Sequence, residues 1–149
     1  MNDSGALQQR KRVLFVSQRN AEQMRPPRAA VLISITDPAR GEANIGSGWK
    51  SLLRVSFDDV DAITFPGQDG HLKEITSDQV AEIALFVAQN IDSCKRIVVH
   101  CRHGVSRSAA VAKAISDACG APFPSEYNEY NRFVYEVLRR PLRIALSGA

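Results

Sequence analysis

The fold of this chain is decided by the stretch from Arg96 to Ala118, which reads RIVVHCRHGVSRSAAVAKAISDA. The β-branched run Ile97-Val98-Val99 at its start predicts a short buried strand. The alanine-rich residues from Arg107 onward predict a helix to about Ala118, and Gly120 suits the position just beyond a helix end. A strand, a tight loop and a helix in this order are typical of a layered α/β domain.

The rest of the chain supplies further elements around this unit. Strands are predicted at Val13–Val16, Ala30–Ile35 and Leu52–Phe57, with connectors at Asn20–Arg28 and Gly41–Gly48. Helices are predicted from the cap Ser77 to about Asn90, and from the cap Ser125 to about Arg139 with Pro141 just beyond. We therefore expect one α/β domain at residues 10–149, with a mostly parallel central sheet flanked by helices. Residues 1–9 are expected to form a flexible tail.

The composition narrows the class of protein. The 149 residues are 44% hydrophobic, which is typical of a soluble globular domain. No apolar run approaches the roughly 18 residues of a membrane span. Met1 to Gln9 lacks the apolar centre of a secretory signal, so we expect a cytoplasmic protein. The net charge of +3 is mild and gives no strong nucleic-acid patch, and Arg10-Lys11-Arg12 and Arg139-Arg140 are expected to be solvated.

The loop between the predicted strand and helix has the composition of a phosphate-binding site. A phosphate monoester carries nearly two negative charges, so it needs many donors that point inward. Backbone N–H groups at a helix start supply such donors, and here they belong to Arg102, His103, Gly104, Val105, Ser106 and Arg107. Gly104 allows the backbone to turn, and the planar guanidinium of Arg107 can bind two phosphate oxygens. The side chains of Arg102 and His103 form a basic rim that either contacts substrate or is simply exposed.

Cys101 stands at the base of this loop. The donors and the positive end of the following helix favour its thiolate, which is the nucleophilic form. Ser108 can donate a hydrogen bond to the sulfur and help it leave in a second step. His100 is expected to hold the loop through bonds from its side chain to the backbone. Cys94 and Cys119 are expected to be structural, because no disulfide or zinc spacing is present.

Phosphomonoester cleavage also needs an acid that protonates the leaving oxygen. Asp58 and Asp59 directly follow a predicted strand, from which a carboxyl group can be aimed at the loop. Asp59 is the preferred acid, Asp58 is the close alternative, and Asp69 in the following long loop is a third. Asp61 and His71 are expected to lie on the surface.

The stretch from His100 to Ser108, HCRHGVSRS, resembles the signature of the protein tyrosine phosphatase superfamily. That signature is His-Cys-x-x-Gly-x-x-Arg followed by Ser or Thr, and every specified position matches. Leu53 to Asp59, LRVSFDD, is similar to the strand and general-acid loop of the small dual-specificity branch and its bacterial or phage relatives. The resemblance covers roughly residues 30–138. It implies a cysteine-phosphatase fold without metal or cofactor, with Cys101 as nucleophile, Arg107 as phosphate clamp, Ser108 as leaving-group aid and Asp59 as general acid.

Three functions remain in competition. The leading one is a phosphatase that acts through a phosphocysteine intermediate, with a phosphoprotein as the favoured substrate and a phosphoinositide or an RNA 5′-phosphate as alternatives. The second is a phosphate-binding module without catalysis, which would lack a positioned acid. The third is sulfur chemistry of the rhodanese or arsenate-reductase kind, which also uses a loop cysteine but does not need Arg107 and Ser108 in this arrangement.

Overall fold

The computed structural model describes residues 12–67 and 70–147. Its sheet has four parallel strands in the order β1-β4-β2-β3: β1 (Arg12–Ser17), β2 (Ala30–Thr36), β3 (Ser51–Ser56) and β4 (Arg96–Cys101). The helices described are α1 (Gln18–Gln23), α2 (Ser77–Asn90), α3 (Arg107–Cys119) and α4 (Arg132–Ser147). The expected α/β class with a parallel central sheet is therefore confirmed. The predicted tail and Asp69 lie outside the described residues.

The two inner strands, β2 and β4, carry the core. Every residue of β2 is buried, and in β4 only Arg96 at the start is partly exposed. Strands buried on both faces need continuous apolar runs, which Ala30–Ile35 and Ile97–Val99 supply. The edge strand β3 alternates instead, because Val55 is buried while Leu52 and Ser56 are exposed.

All four strands point the same way, so their carboxyl ends meet at one edge of the sheet. Open parallel sheets bind ligands at this edge. The segments that leave the sheet there begin after Ser17, Thr36, Ser56 and Cys101. The fold thus brings residues 101–107, called the Cys101 loop below, next to the segment that starts at Phe57. The two segments can therefore contribute side chains to one site.

The ends of α2 and α3 follow ordinary capping chemistry. Thr76, not the predicted Ser77, caps α2, because its side chain accepts from the Gln79 N–H while the Gln79 side chain accepts from the Thr76 N–H. The end of α3 agrees with the prediction, since Gly120 adopts the left-handed conformation with φ 78°. The predicted connector after β1 was wrong in part, because α1 occupies its first residues.

The prediction for the last helix was wrong at both ends. Helix α4 starts at Arg132 because distant groups cap it: Asp61 accepts the N–H bonds of Arg132 and Phe133. Pro141 lies inside α4, although proline removes one helical hydrogen bond. The helix continues past it because Leu138 and Leu142, one turn apart, are both fully buried in the core.

Tyr127 and Tyr130 fall within the predicted bounds of that helix but lie before α4 in the structure. The Tyr127 hydroxyl donates to the carbonyl of Val105 in the Cys101 loop, and its ring contacts Phe15 and Phe123. Tyr127 therefore supports the outer wall of the Cys101 loop.

Within residues 12–67 and 70–147, no helix combines the length and apolar character that crossing a membrane requires.

Candidate active site

The Cys101 loop, residues 101–107, joins the end of β4 to the start of α3 and packs against the end of β1. Gly104 has φ +73°, and a Cβ there would lie 2.5 Å from the Ser17 nitrogen and 2.6 Å from the Val16 carbonyl carbon. Both the backbone angle and this close approach require glycine. The loop is also tied to α1, since the Gln18 N–H donates to the Arg102 carbonyl at 3.3 Å.

Cys101 lies at the floor of the loop and is buried, with 2% of its surface exposed. Its sulfur lies 3.1 Å from the hydroxyl oxygen of Ser108, which is fully buried in the first turn of α3. The two residues predicted to share a hydrogen bond are therefore in contact. A serine hydroxyl at this distance can donate to a thiolate.

Arg107 is buried beneath the loop, and two acceptors orient its guanidinium. Its Nη1 donates to the Phe57 carbonyl at 2.7 Å and lies 2.7 Å from Oδ1 of Asp37. Its Nε is buried and has no hydrogen-bond partner among the described residues. A buried donor left without an acceptor costs about 1–3 kcal/mol. An anion bound within reach of Nε would supply the missing acceptor.

Asp37 is a site residue that the sequence analysis missed. It follows β2 directly, and its carboxylate lies 2.7 Å from Arg107, 3.3 Å from Arg40 and 3.7 Å from Arg102. The signal was present, because an acid after a buried parallel strand lies at the ligand edge of the sheet. The contact holds the Arg102 side chain at the rim of the loop, where His103 is exposed.

The two candidate acids make different contacts. The Oδ1 atom of Asp59 accepts a hydrogen bond from the Ser106 hydroxyl at 2.8 Å, so its carboxylate lies against the Cys101 loop. Asp58 points instead to Lys73, whose N–H it accepts at 2.8 Å while its own N–H donates to the Lys73 carbonyl. Of these two acids, Asp59 is the one that contacts the Cys101 loop. Residues 57–67 are called the acid loop below. Asp58 connects the acid loop to the segment before α2.

Asp61 was predicted to lie on the surface, and that was wrong. It is 7% exposed, because Ile63, Thr64, Arg132 and Phe133 all donate backbone N–H bonds to its carboxylate. Burial raises the pKa of Asp61, but the bonds from Thr64, Arg132 and Phe133 outweigh it and leave that pKa below its usual value. Asp61 thus connects the acid loop to the start of α4. His71, the other residue predicted to lie on the surface, is exposed.

His100 is fully buried directly before Cys101. Its Nε2 lies 2.6 Å from the Ser34 hydroxyl on the neighbouring strand, and its Nδ1 lies 3.4 Å from the Cys101 carbonyl. The strong partner is therefore a side chain, and the predicted bond to the backbone is the weaker contact. Burial lowers the pKa of His100, so a neutral imidazole holds the base of the loop.

Asn131 is a second residue that the sequence analysis missed. Its Nδ2 donates to Asp59 at 2.8 Å and to the Val60 carbonyl at 2.9 Å, while its Oδ1 accepts the Val134 N–H at 2.9 Å. Its own N–H donates to the Ser106 carbonyl at 3.0 Å. This buried amide therefore links the acid loop, the Cys101 loop and α4. An asparagine before a helix is a usual cap, but its bonds to Asp59 and Val60 cannot be predicted from the neighbouring sequence.

A cavity of about 450 Å³ lies away from this site, between the start of α2 and residues 133–141 of α4. Another, of about 370 Å³, opens beside Asp59 and Ser106. Phe65, Tyr130 and Arg132 stand in the walls of the second. Among residues 12–67 and 70–147, no cluster of three or more His, Cys, Asp or Glu side chains is arranged to hold a metal ion.

No protein-family model, curated protein or solved structure matches this chain. The functional assignment therefore rests on the site itself.

Proposed function

We propose that this chain is a cysteine-dependent phosphomonoesterase of the protein tyrosine or dual-specificity phosphatase type. The observation that carries the proposal is that three groups border one loop. Cys101 begins it, Arg107 ends it with a buried Nε that has no partner among the described residues, and the Asp59 carboxylate touches it through Ser106. A nucleophile, an anion clamp and an acid are the parts that this reaction needs.

In the first step, the Cys101 sulfur attacks phosphorus as a thiolate and forms a sulfur–phosphorus bond. The bond from phosphorus to the ester oxygen breaks, and its electron pair goes to that oxygen, which receives a proton from Asp59. The guanidinium of Arg107 and the backbone N–H groups of the loop bind the three remaining phosphate oxygens. The contacts to Asp37 and Phe57 keep that guanidinium in one orientation.

In the second step, water attacks the phosphocysteine. Asp59, now a carboxylate, takes a proton from the water, whose oxygen bonds to phosphorus as the sulfur–phosphorus bond breaks. The sulfur leaves as a thiolate and receives a hydrogen bond from the Ser108 hydroxyl, which lies 3.1 Å away. Inorganic phosphate is released and the starting state returns.

Two features favour this function over its competitors. A binding module has no need of an acid, yet Asp59 is fixed against the Cys101 loop by Ser106 and Asn131. Sulfur transfer has no need of a buried arginine and a serine arranged around the loop cysteine as Arg107 and Ser108 are. A persulfide on Cys101, detected by mass after thiosulfate treatment, would favour the sulfur chemistry instead.

The favoured substrate is a phosphoprotein, with a phosphoinositide or an RNA 5′-phosphate as alternatives. We propose that the group attached to the leaving oxygen occupies the cavity of about 370 Å³ that Asp59 and Ser106 help to line. Rates on a panel of phosphotyrosine peptide, phosphoserine peptide, phosphoinositide and RNA 5′-phosphate would rank these classes.

Cys101→Ser tests the mechanism directly. We expect this variant to lose turnover of an aryl phosphate, because the serine hydroxyl is a far weaker nucleophile than a thiolate. It should still bind inorganic phosphate, which calorimetry would measure, since the loop and Arg107 are unchanged. Full turnover by Cys101→Ser would contradict the phosphocysteine route.

A further inference from the structure

Ser106 uses its hydroxyl in an unusual way for its position. It precedes α3, where a serine side chain ordinarily accepts a hydrogen bond from the first N–H groups of the helix. Its side chain makes no such bond, and its hydroxyl donates to Oδ1 of Asp59 instead. The first N–H groups of α3 therefore donate no hydrogen bond to the Ser106 side chain, whose hydroxyl bonds to the acid loop.

The same oxygen of Asp59 receives a second hydrogen bond, from Nδ2 of Asn131 at 2.8 Å. Asn131 is itself fixed, because it accepts the Val134 N–H and donates its own N–H to the Ser106 carbonyl. A carboxyl oxygen offers two acceptor positions, and these two donors occupy both on Oδ1. When Asp59 is protonated, the proton therefore resides on Oδ2.

We propose that Ser106 and Asn131 are positioning residues that make Oδ2 the proton-donating atom of Asp59 and aim it at the leaving oxygen. This inference rests on the proposed function and deepens it. In the first step, the Oδ2 proton moves to the ester oxygen as the phosphorus–oxygen bond breaks. In the second step, Oδ2 takes back one proton from the attacking water while the sulfur departs.

The test compares two esters whose leaving groups differ in their need for a proton. Phenyl phosphate releases a weakly acidic phenol and depends on the acid, whereas 2,4-dinitrophenyl phosphate releases a stable anion and does not. We expect Ser106→Ala to lower kcat/KM for phenyl phosphate about tenfold, because one hydrogen bond to the carboxylate that forms in the transition state is lost. For the dinitrophenyl ester we expect almost no change. Inhibition by inorganic phosphate should also stay unchanged, because the loop backbone is intact.

Two further variants separate positioning from folding. Ser106→Thr keeps the hydroxyl and should restore the rate on phenyl phosphate. Ser106→Ala added to Asp59→Asn should cause no further loss, because the group it orients is already absent.

Each outcome decides between the claims. An equal loss on both esters, or no loss on either, would overturn the positioning role while leaving the phosphatase assignment intact. If the unmodified protein cleaved neither ester, the proposed function itself would fail.

Discussion

The Cys101 loop and the acid loop form the two sides of the candidate site, and they are built differently. The Cys101 loop is continuous in sequence with β4 and α3, and its shape comes from backbone features such as the positive φ of Gly104. The acid loop is held by side chains from far along the chain, since Asn131 reaches Asp59 across 72 residues. One side is encoded locally, and the other depends on the completed tertiary structure.

This difference separates two kinds of substitution. A change at Gly104 or Arg107, which set the backbone and the anion clamp of the Cys101 loop, should damage both phosphate binding and turnover, because the anion and the nucleophile share one backbone. A change at Asp59 in the acid loop should damage proton transfer while leaving phosphate binding intact. The following variants test whether the two sides can be separated in this way.

Arg107→Lys should give the largest effect. Lysine keeps the charge, but its three donors share one nitrogen, so it cannot bind two phosphate oxygens as a planar fork while it also contacts Phe57 and Asp37. We expect kcat/KM for aryl phosphates to fall about a thousandfold, with phosphate affinity also reduced. Steady-state rates and calorimetry with inorganic phosphate measure the two effects. Retention of tight phosphate binding by Arg107→Lys would contradict the claim that the Cys101 loop needs the Arg107 guanidinium to bind phosphate.

Gly104→Ala should come next, because it combines a strained φ with a clash against the backbone of Val16 and Ser17. The expected loss is about 3 kcal/mol of unfolding free energy. Gly120→Ala is the matched control, since its φ is +78° but no other described atom lies within 4 Å of the added Cβ. The control should lose only about 1 kcal/mol. If both variants lost the same unfolding free energy in urea, the close approach of Gly104 to the backbone of β1 would not contribute to the effect.

The matched pair Asp59→Asn and Asp58→Asn tests the acid loop. Asp59→Asn should lower kcat/KM on phenyl phosphate about a hundredfold, because an amide cannot act as the acid. Asp58→Asn should leave the rate within about threefold, since Asp58 bonds to Lys73 and acts only through the loop. Phosphate inhibition should be the same in both variants. The reverse ranking of the two rates would transfer the proposed acid role to Asp58.

The contrast between the two sides also explains what could be predicted from the sequence. The β-branched run of β4, the loop glycine and the helix stop at Gly120 are local features, and each was predicted correctly. The start of α4 was predicted too early because Asp61, which caps it, lies 71 residues before Arg132. The contact between Asp37 and Arg107 was missed for the same reason. It exists only because parallel strands bring their carboxyl ends together.

Asp61→Asn should have the smallest effect and should fall on stability alone. The Asp61 carboxylate accepts four backbone N–H groups, so an amide nitrogen in place of one oxygen would face another donor. At pH 7 we expect a loss of about 2 kcal/mol of unfolding free energy. Because the pKa of Asp61 is lowered in the folded protein, its stabilisation is complete above the unfolded value of about 4.

That stabilisation should disappear as the pH falls below about 4 and through the lowered pKa of the folded state. The unfolding free energies of the natural protein and Asp61→Asn should therefore differ most at neutral pH and converge in acid. The exposed Asp78 in the first turn of α2 is the control, since Asp78→Asn should cost less than about 1 kcal/mol at pH 7. A difference for Asp61→Asn that stayed constant from pH 7 to pH 3 would show that its charge does not hold the acid loop to α4.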